Sequence, residues 1–87
     1  MPRFMAVHSL PYTEQEMMAM LQEMAPKIPP EFSWNQSWCD FDNQKHFCDW
    51  QAPSKEALEQ AFQANNMPYD VIYPVRRFDV ASMQLES

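Results

Sequence analysis

Apolar and polar residues alternate from Arg3 to Ser9, with Phe4, Ala6 and His8 on one side and Met5, Val7 and Ser9 on the other. That period of two predicts a strand, ended by Pro11. The period then changes to that of a helix, with Met17, Met20, Leu21 and Met24 along one face. Thr13 and Glu16 have the spacing of a capping box at its start, Tyr12 and Met17 that of a hydrophobic staple, and Pro26 stops it. Phe32 to Phe41 alternates again and is rich in aromatics. Asp42-Asn43 is an acceptable two-residue turn, and Lys45 to Gln51 returns as the second arm of a hairpin. Ser54 caps a second helix with Ala57, Leu58, Ala61 and Phe62 as its apolar stripe, and Asn65-Asn66 can end it in the left-handed conformation. A last strand is expected over Asp70 to Val80, where Pro74 removes a ladder donor and so asks for a sheet edge.

The order β-α-β-β-α-β is the split βαβ, or ferredoxin-like, pattern. It predicts an α+β sandwich in one domain, 1–87: a four-stranded antiparallel sheet with two helices on one face. Two helices cover only one side of such a sheet, so the other side calls for a partner. The expected partner is a second copy, packed sheet to sheet as in a dimeric α/β barrel. A two-residue turn sorts the hairpin into two faces. One carries Ser33, Asn35, Ser37, Cys39 and Phe41 with His46, Cys48 and Trp50; the other carries Phe32, Trp34, Gln36, Trp38 and Asp40 with Phe47, Asp49 and Gln51. Trp34 and Trp38 beside Gln36, Asp49 and Gln51 are what a binding cavity or a wet interface contains.

Composition narrows the chemistry. The 87 residues carry 12 acidic and 6 basic side chains, a net charge of −6, which argues against nucleic acid because a phosphate backbone needs a basic patch. There is no glycine, so phosphate loops, dinucleotide fingerprints and nucleophile elbows are all missing, and no nucleotide cofactor is expected. No apolar run has the length of a membrane span, and the first residues lack the apolar core of a secretory leader. A cytoplasmic protein is therefore expected, with Cys39 and Cys48 as thiols.

The histidines and cysteines are the distinctive reactive groups. His46 and Cys48 are two apart on one strand and point the same way, with Cys39 across from or diagonal to them. Such N and S donors suit nickel, copper or zinc, and His8 could supply a further ligand. His8, His46 and Cys48 are the candidate metal ligands. The bland alternative makes both cysteines small core residues and leaves His46 in water at the hairpin tip. Trp34, Trp38, Asp49 and Tyr73 are the candidate pocket residues. Asp49 in mid-strand needs a partner if buried, and it shares with His8 the role of candidate proton carrier in an enzymatic alternative. The methionines of the first helix read as a pliable core stripe rather than as thioether ligands.

Lys45-His46-Phe47-Cys48-Asp49-Trp50-Gln51-Ala52-Pro53-Ser54, continued by Glu56-Ala57, by Asn66-Met67-Pro68-Tyr69-Asp70 and by Ile72-Tyr73-Pro74-Val75, resembles a family of small ferredoxin-like proteins catalogued as a domain of unknown function. The opening Met1 to Leu10, with His8, fits as well. Some members are labelled nickel-binding, so the resemblance implies an α+β sandwich that dimerises and strengthens the metal reading. The expected function is a small non-catalytic dimeric binding protein for nickel or another divalent transition metal. The alternative is a cofactor-independent oxygenase- or isomerase-like enzyme acting on a small organic molecule between the sheets. A plain assembly protein is the third reading.

Overall fold

The computed structural model describes residues 1–86. Strand β1 (Arg3–Ser9) leads to helix α1 (Glu14–Met24) and a 3-10 turn at Ala25–Lys27; strands β2 (Ser33–Asp40) and β3 (Lys45–Gln51) precede helix α2 (Lys55–Ala64), and β4 (Val71–Val75) follows. The sheet order is β2-β3-β1-β4, and every pairing is antiparallel. This is the expected βαββαβ arrangement. Pro74 lies in β4 at the edge, paired only with β1, so its missing donor faces no strand. The expected last strand stops at Val75. Phe78–Asp79 and Gln84–Leu85 form a separate small hairpin instead.

Both helices start as their sequences ask. Thr13 and Glu16 make the reciprocal capping box, and the Ser54 hydroxyl accepts from the Ala57 amide at 3.1 Å. Asn66 takes φ 54° just past α2, the left-handed corner for which asparagine substitutes for glycine. The helices cover the side of the sheet bearing Phe4, Ala6, Cys48, Trp50 and Ile72, and Leu58 and Phe62 of α2 complete the core.

The hairpin corrects two expectations. Its loop is four residues, 41–44, closed by Asp40 opposite Lys45, rather than a two-residue turn. Asp40 holds it by accepting from the Asn43 amide and side chain, and Gln44 turns the corner at φ 58°. A four-residue loop keeps the parity of a two-residue one, so Ser37 faces Cys48 and Cys39 faces His46 as expected. A β-bulge between Trp34 and Gln36 then breaks that parity, and Trp34 pairs with Trp50. Trp34 therefore lies on the helix side. Its indole stacks on Trp50 with centroids 5.1 Å apart and planes 12° from parallel, and its Nε1–H donates to the Ser37 hydroxyl at 2.8 Å.

Trp34 and Trp38, four residues apart on one strand, consequently sit in different environments: Trp34 is half-buried, Trp38 is 50% exposed. Trp34→Ala is expected to lower unfolding free energy by about 2 kcal/mol in urea denaturation, and Trp38→Ala in dilute protein by less than about 1 kcal/mol. Equal losses would contradict the bulge.

Candidate functional site

The two central strands bring His8 and His46 directly opposite each other, both on the helix side. Neither is wetted: His8 is 3% exposed and His46 not at all, so His46 does not stand in water at the hairpin tip. Each ring has one nitrogen tied to a backbone carbonyl. His8 Nδ1 lies 2.7 Å from the Pro68 oxygen, and His46 Nε2 lies 3.4 Å from the Leu10 oxygen. A carbonyl can only accept, so the tied nitrogen of each ring carries a hydrogen, and in a neutral ring the other nitrogen holds the lone pair. Among the described residues, His46 Nδ1 is buried with no hydrogen-bond partner. Phe62 meets the His8 ring edge to face at 5.3 Å, and Phe41 meets His46 at 5.6 Å, which fixes both planes.

A cavity of about 20 Å³, room for one water or one ion, lies among His8, His46, Cys48, Trp34, Trp50 and the thioether side chains of Met17, Met20, Met24 and Met67. Burial lowers the His8 pKa; the Pro68 carbonyl opposes that shift and nearby His46 adds to it, so the ring is neutral at pH 7. Burial likewise pushes the Cys48 thiol up to about 11, with hydrogen bonding from Ser37 pulling the other way. At neutral pH this sulfur keeps its proton unless an ion displaces it. Cys39 is an exposed free thiol on the edge strand. The chemistry on this side is thus two nitrogen donors amid sulfur, in an almost wholly apolar chamber. Among the described residues no three His, Cys, Asp or Glu side chains form a ready-made metal cluster.

The opposite face holds the rest of the expected residues. Asp49 is 3% exposed although it lies on the side without helices. Arg3 Nη1 donates to its Oδ2 at 2.5 Å, and Gln36 Nε2 donates to the same oxygen at 3.4 Å. Arg3 Nε bonds Glu86 Oε1 at 2.8 Å, so one guanidinium ties β1, β3 and the chain end together. Trp38 and Asp49 share an open groove there, while Tyr73, opposite Met5 on β4, is 53% exposed. The fold therefore joins His8, His46 and Cys48, and it joins Trp38 to Asp49. It separates Trp34 from Trp38, and it puts His8 and Asp49 on opposite faces, so the proton-carrying pair of the enzymatic alternative does not share one enclosed space. The methionine lining was missed because a helical stripe of Met reads as core; only the cross-strand register shows that the stripe lies over two histidines.

A family model described as "Nickel responsive protein SCO4226-like" matches residues 4–75. Among solved structures, the crystal structure of SCO4226 from Streptomyces coelicolor A3(2) is 24% identical to this chain. The match covers 84% of this chain and 94% of that one, with a TM-score of 0.69. At that identity it establishes the shared fold. No curated protein matches the chain. Among the described residues no helix is long and apolar enough to cross a membrane.

The depressed His8 pKa has a signed consequence. Between the ordinary imidazole value of 6.5 and the lower folded-state value, the unfolded chain binds a proton that the native state refuses. The contribution is present above 6.5 and is lost as pH falls through that window. His46, Asp70 and the Pro68 carbonyl are the groups acting on the ring. The urea midpoint is expected to fall between about pH 7.5 and about pH 5.5, and to fall less in His8→Gln. An identical drop in both proteins would remove His8 as the cause.

Proposed function

The chain belongs to the SCO4226-like family of nickel-responsive proteins, and from that premise we propose that it is a small binding protein for nickel or a related divalent transition metal. The observation that carries the reading is His46 Nδ1, buried without a partner among the described residues, opposite His8 in a chamber shared with Cys48. Holding the far nitrogen of each imidazole on a carbonyl is the outer arrangement that orients a histidine toward a metal. Two imidazoles suit a borderline divalent ion, and the surrounding thiol and thioethers suit the softer end of that class. His8 and His46 supply the nitrogens in this reading. The Cys48 thiol closes the set by losing its proton on binding. No step of catalysis is assigned to these residues.

We further propose that the protein is one domain that works as a homodimer through the helix-free side of the sheet. Trp38, Phe47 and Tyr73 stand exposed there, the kind of aromatic surface that a second sheet covers.

Nickel titrated by calorimetry into protein free of a histidine tag is expected to bind saturably and to release protons. His8→Gln and His46→Gln should each weaken that binding by about tenfold or more. Cys48→Ser should remove the sulfur-to-nickel absorption in the near ultraviolet. Circular dichroism establishes that each variant is folded, and unchanged affinity in folded variants rejects the ligand set. Sedimentation of the wild type at micromolar concentration should give a dimer and Phe47→Lys a monomer. A monomeric wild type rejects the interface while leaving the metal reading to its own test.

A further inference from the structure

All three arginines of this acidic chain, Arg3, Arg76 and Arg77, line one groove of about 280 Å³ on the helix-free face, with Trp38, Gln36 and Asp49. The groove lies across the sheet from the histidine chamber and does not rest on the metal reading; it opens on the face that the proposed dimer covers, so in the dimer its ligand lies between the two sheets. Its cations are not equivalent. Arg3 is occupied by Asp49 and by the Glu86 carboxylate. Among the described residues, Arg76 uses only Nε, which donates to the Glu86 carbonyl at 3.0 Å, and Arg77 is exposed. Among the described residues, three positive charges thus stand against two negative ones, and the guanidinium edges of Arg76 and Arg77 remain as anion donors at the rim.

Asp49 adds an independent requirement. Among the described residues, its Oδ2 takes both bonds that the carboxylate receives, from Arg3 and Gln36, while Oδ1 is buried with no partner. A desolvated carboxylate oxygen without a donor is costly, and water or a ligand hydrogen would relieve it. The half-exposed indole of Trp38 lines the same groove as a flat apolar wall. An inorganic anion satisfies the rim alone and meets the negative charge of Asp49. An uncharged aromatic satisfies only the wall.

We propose that this groove binds a small aromatic carboxylic acid carrying a ring hydroxyl or N–H. The carboxylate pairs with Arg76 and Arg77, the ring lies on Trp38, and the donor meets Asp49 Oδ1. The test is titration of 4-hydroxybenzoate into nitrogen-15-labelled full-length protein, followed at the Trp38 indole N–H. Benzoate, methyl 4-hydroxybenzoate and inorganic phosphate are run alongside. A saturable shift is expected with 4-hydroxybenzoate, and each comparison compound should bind about tenfold or more weakly, the worth of one charge-assisted hydrogen bond. Arg77→Gln, at an exposed position where folding is not at stake, should weaken 4-hydroxybenzoate about tenfold while leaving its preference over benzoate intact. The proposal is overturned if Trp38 does not respond up to about 10 mM ligand. Equal binding of phosphate or the methyl ester, or indifference to Arg77→Gln, overturns it as well.

Discussion

A side chain on β1 or β3 has only two directions available, and helices lie along one of them. Everything else in the molecule follows from that restriction. Even-numbered residues from Phe4 to His8 and from His46 to Trp50 go beneath the helices, and the odd-numbered ones between them go to the other side. The same rule that builds the core from Phe4, Ala6, Cys48 and Trp50 therefore carries His8 and His46 into it. The histidines are buried because of their place in the alternation. Burial then keeps His8 neutral, and among the described residues it leaves His46 Nδ1 without a hydrogen-bond partner. Fold and chemistry on that side are one arrangement.

Strand β3 is unusual in burying three consecutive residues, Cys48, Asp49 and Trp50, although neighbours on a strand face opposite ways. Cys48 and Trp50 are covered by helices. Asp49 is covered from the other side by Arg3, Gln36 and the chain end. A buried ion pair is weak evidence of stability in itself, since desolvation consumes much of the attraction. What it does here is fix geometry: it binds the first residues, the central hairpin and the last described residues to one guanidinium.

Elements with a strong local signal were legible in the residues alone. The capping box, the Ser54 cap, the Asn66 corner and the edge placement of Pro74 each depend on a few neighbouring atoms, and all are found where expected. The strand parity also held from Gln36 to Asp40, which is why Cys39 meets His46. The bulge at Asn35 was not legible. One extra residue leaves no compositional mark, yet it moved Trp34 across the sheet and divided the expected pocket between two faces. The pairing of His8 with His46 was equally hidden, because it depends on a strand register that joins residues 38 apart in sequence. The meeting of Arg3 with Arg76 and Arg77 was hidden for the same reason: only the β1–β4 pairing brings them to one end of the sheet.

The want of glycine, first noticed for the motifs it excludes, also acts before the chain has folded. Gln44 and Met83 turn left-handed corners with full side chains, each at a cost of about 1 kcal/mol in the native state. Against that, a denatured polymer with no glycine and eight prolines wanders through fewer backbone conformations and so surrenders less freedom on becoming ordered. A small fold with a modest interior can thus draw part of its persistence from the stiffness of its disordered competitor, a contribution no contact in the native molecule records.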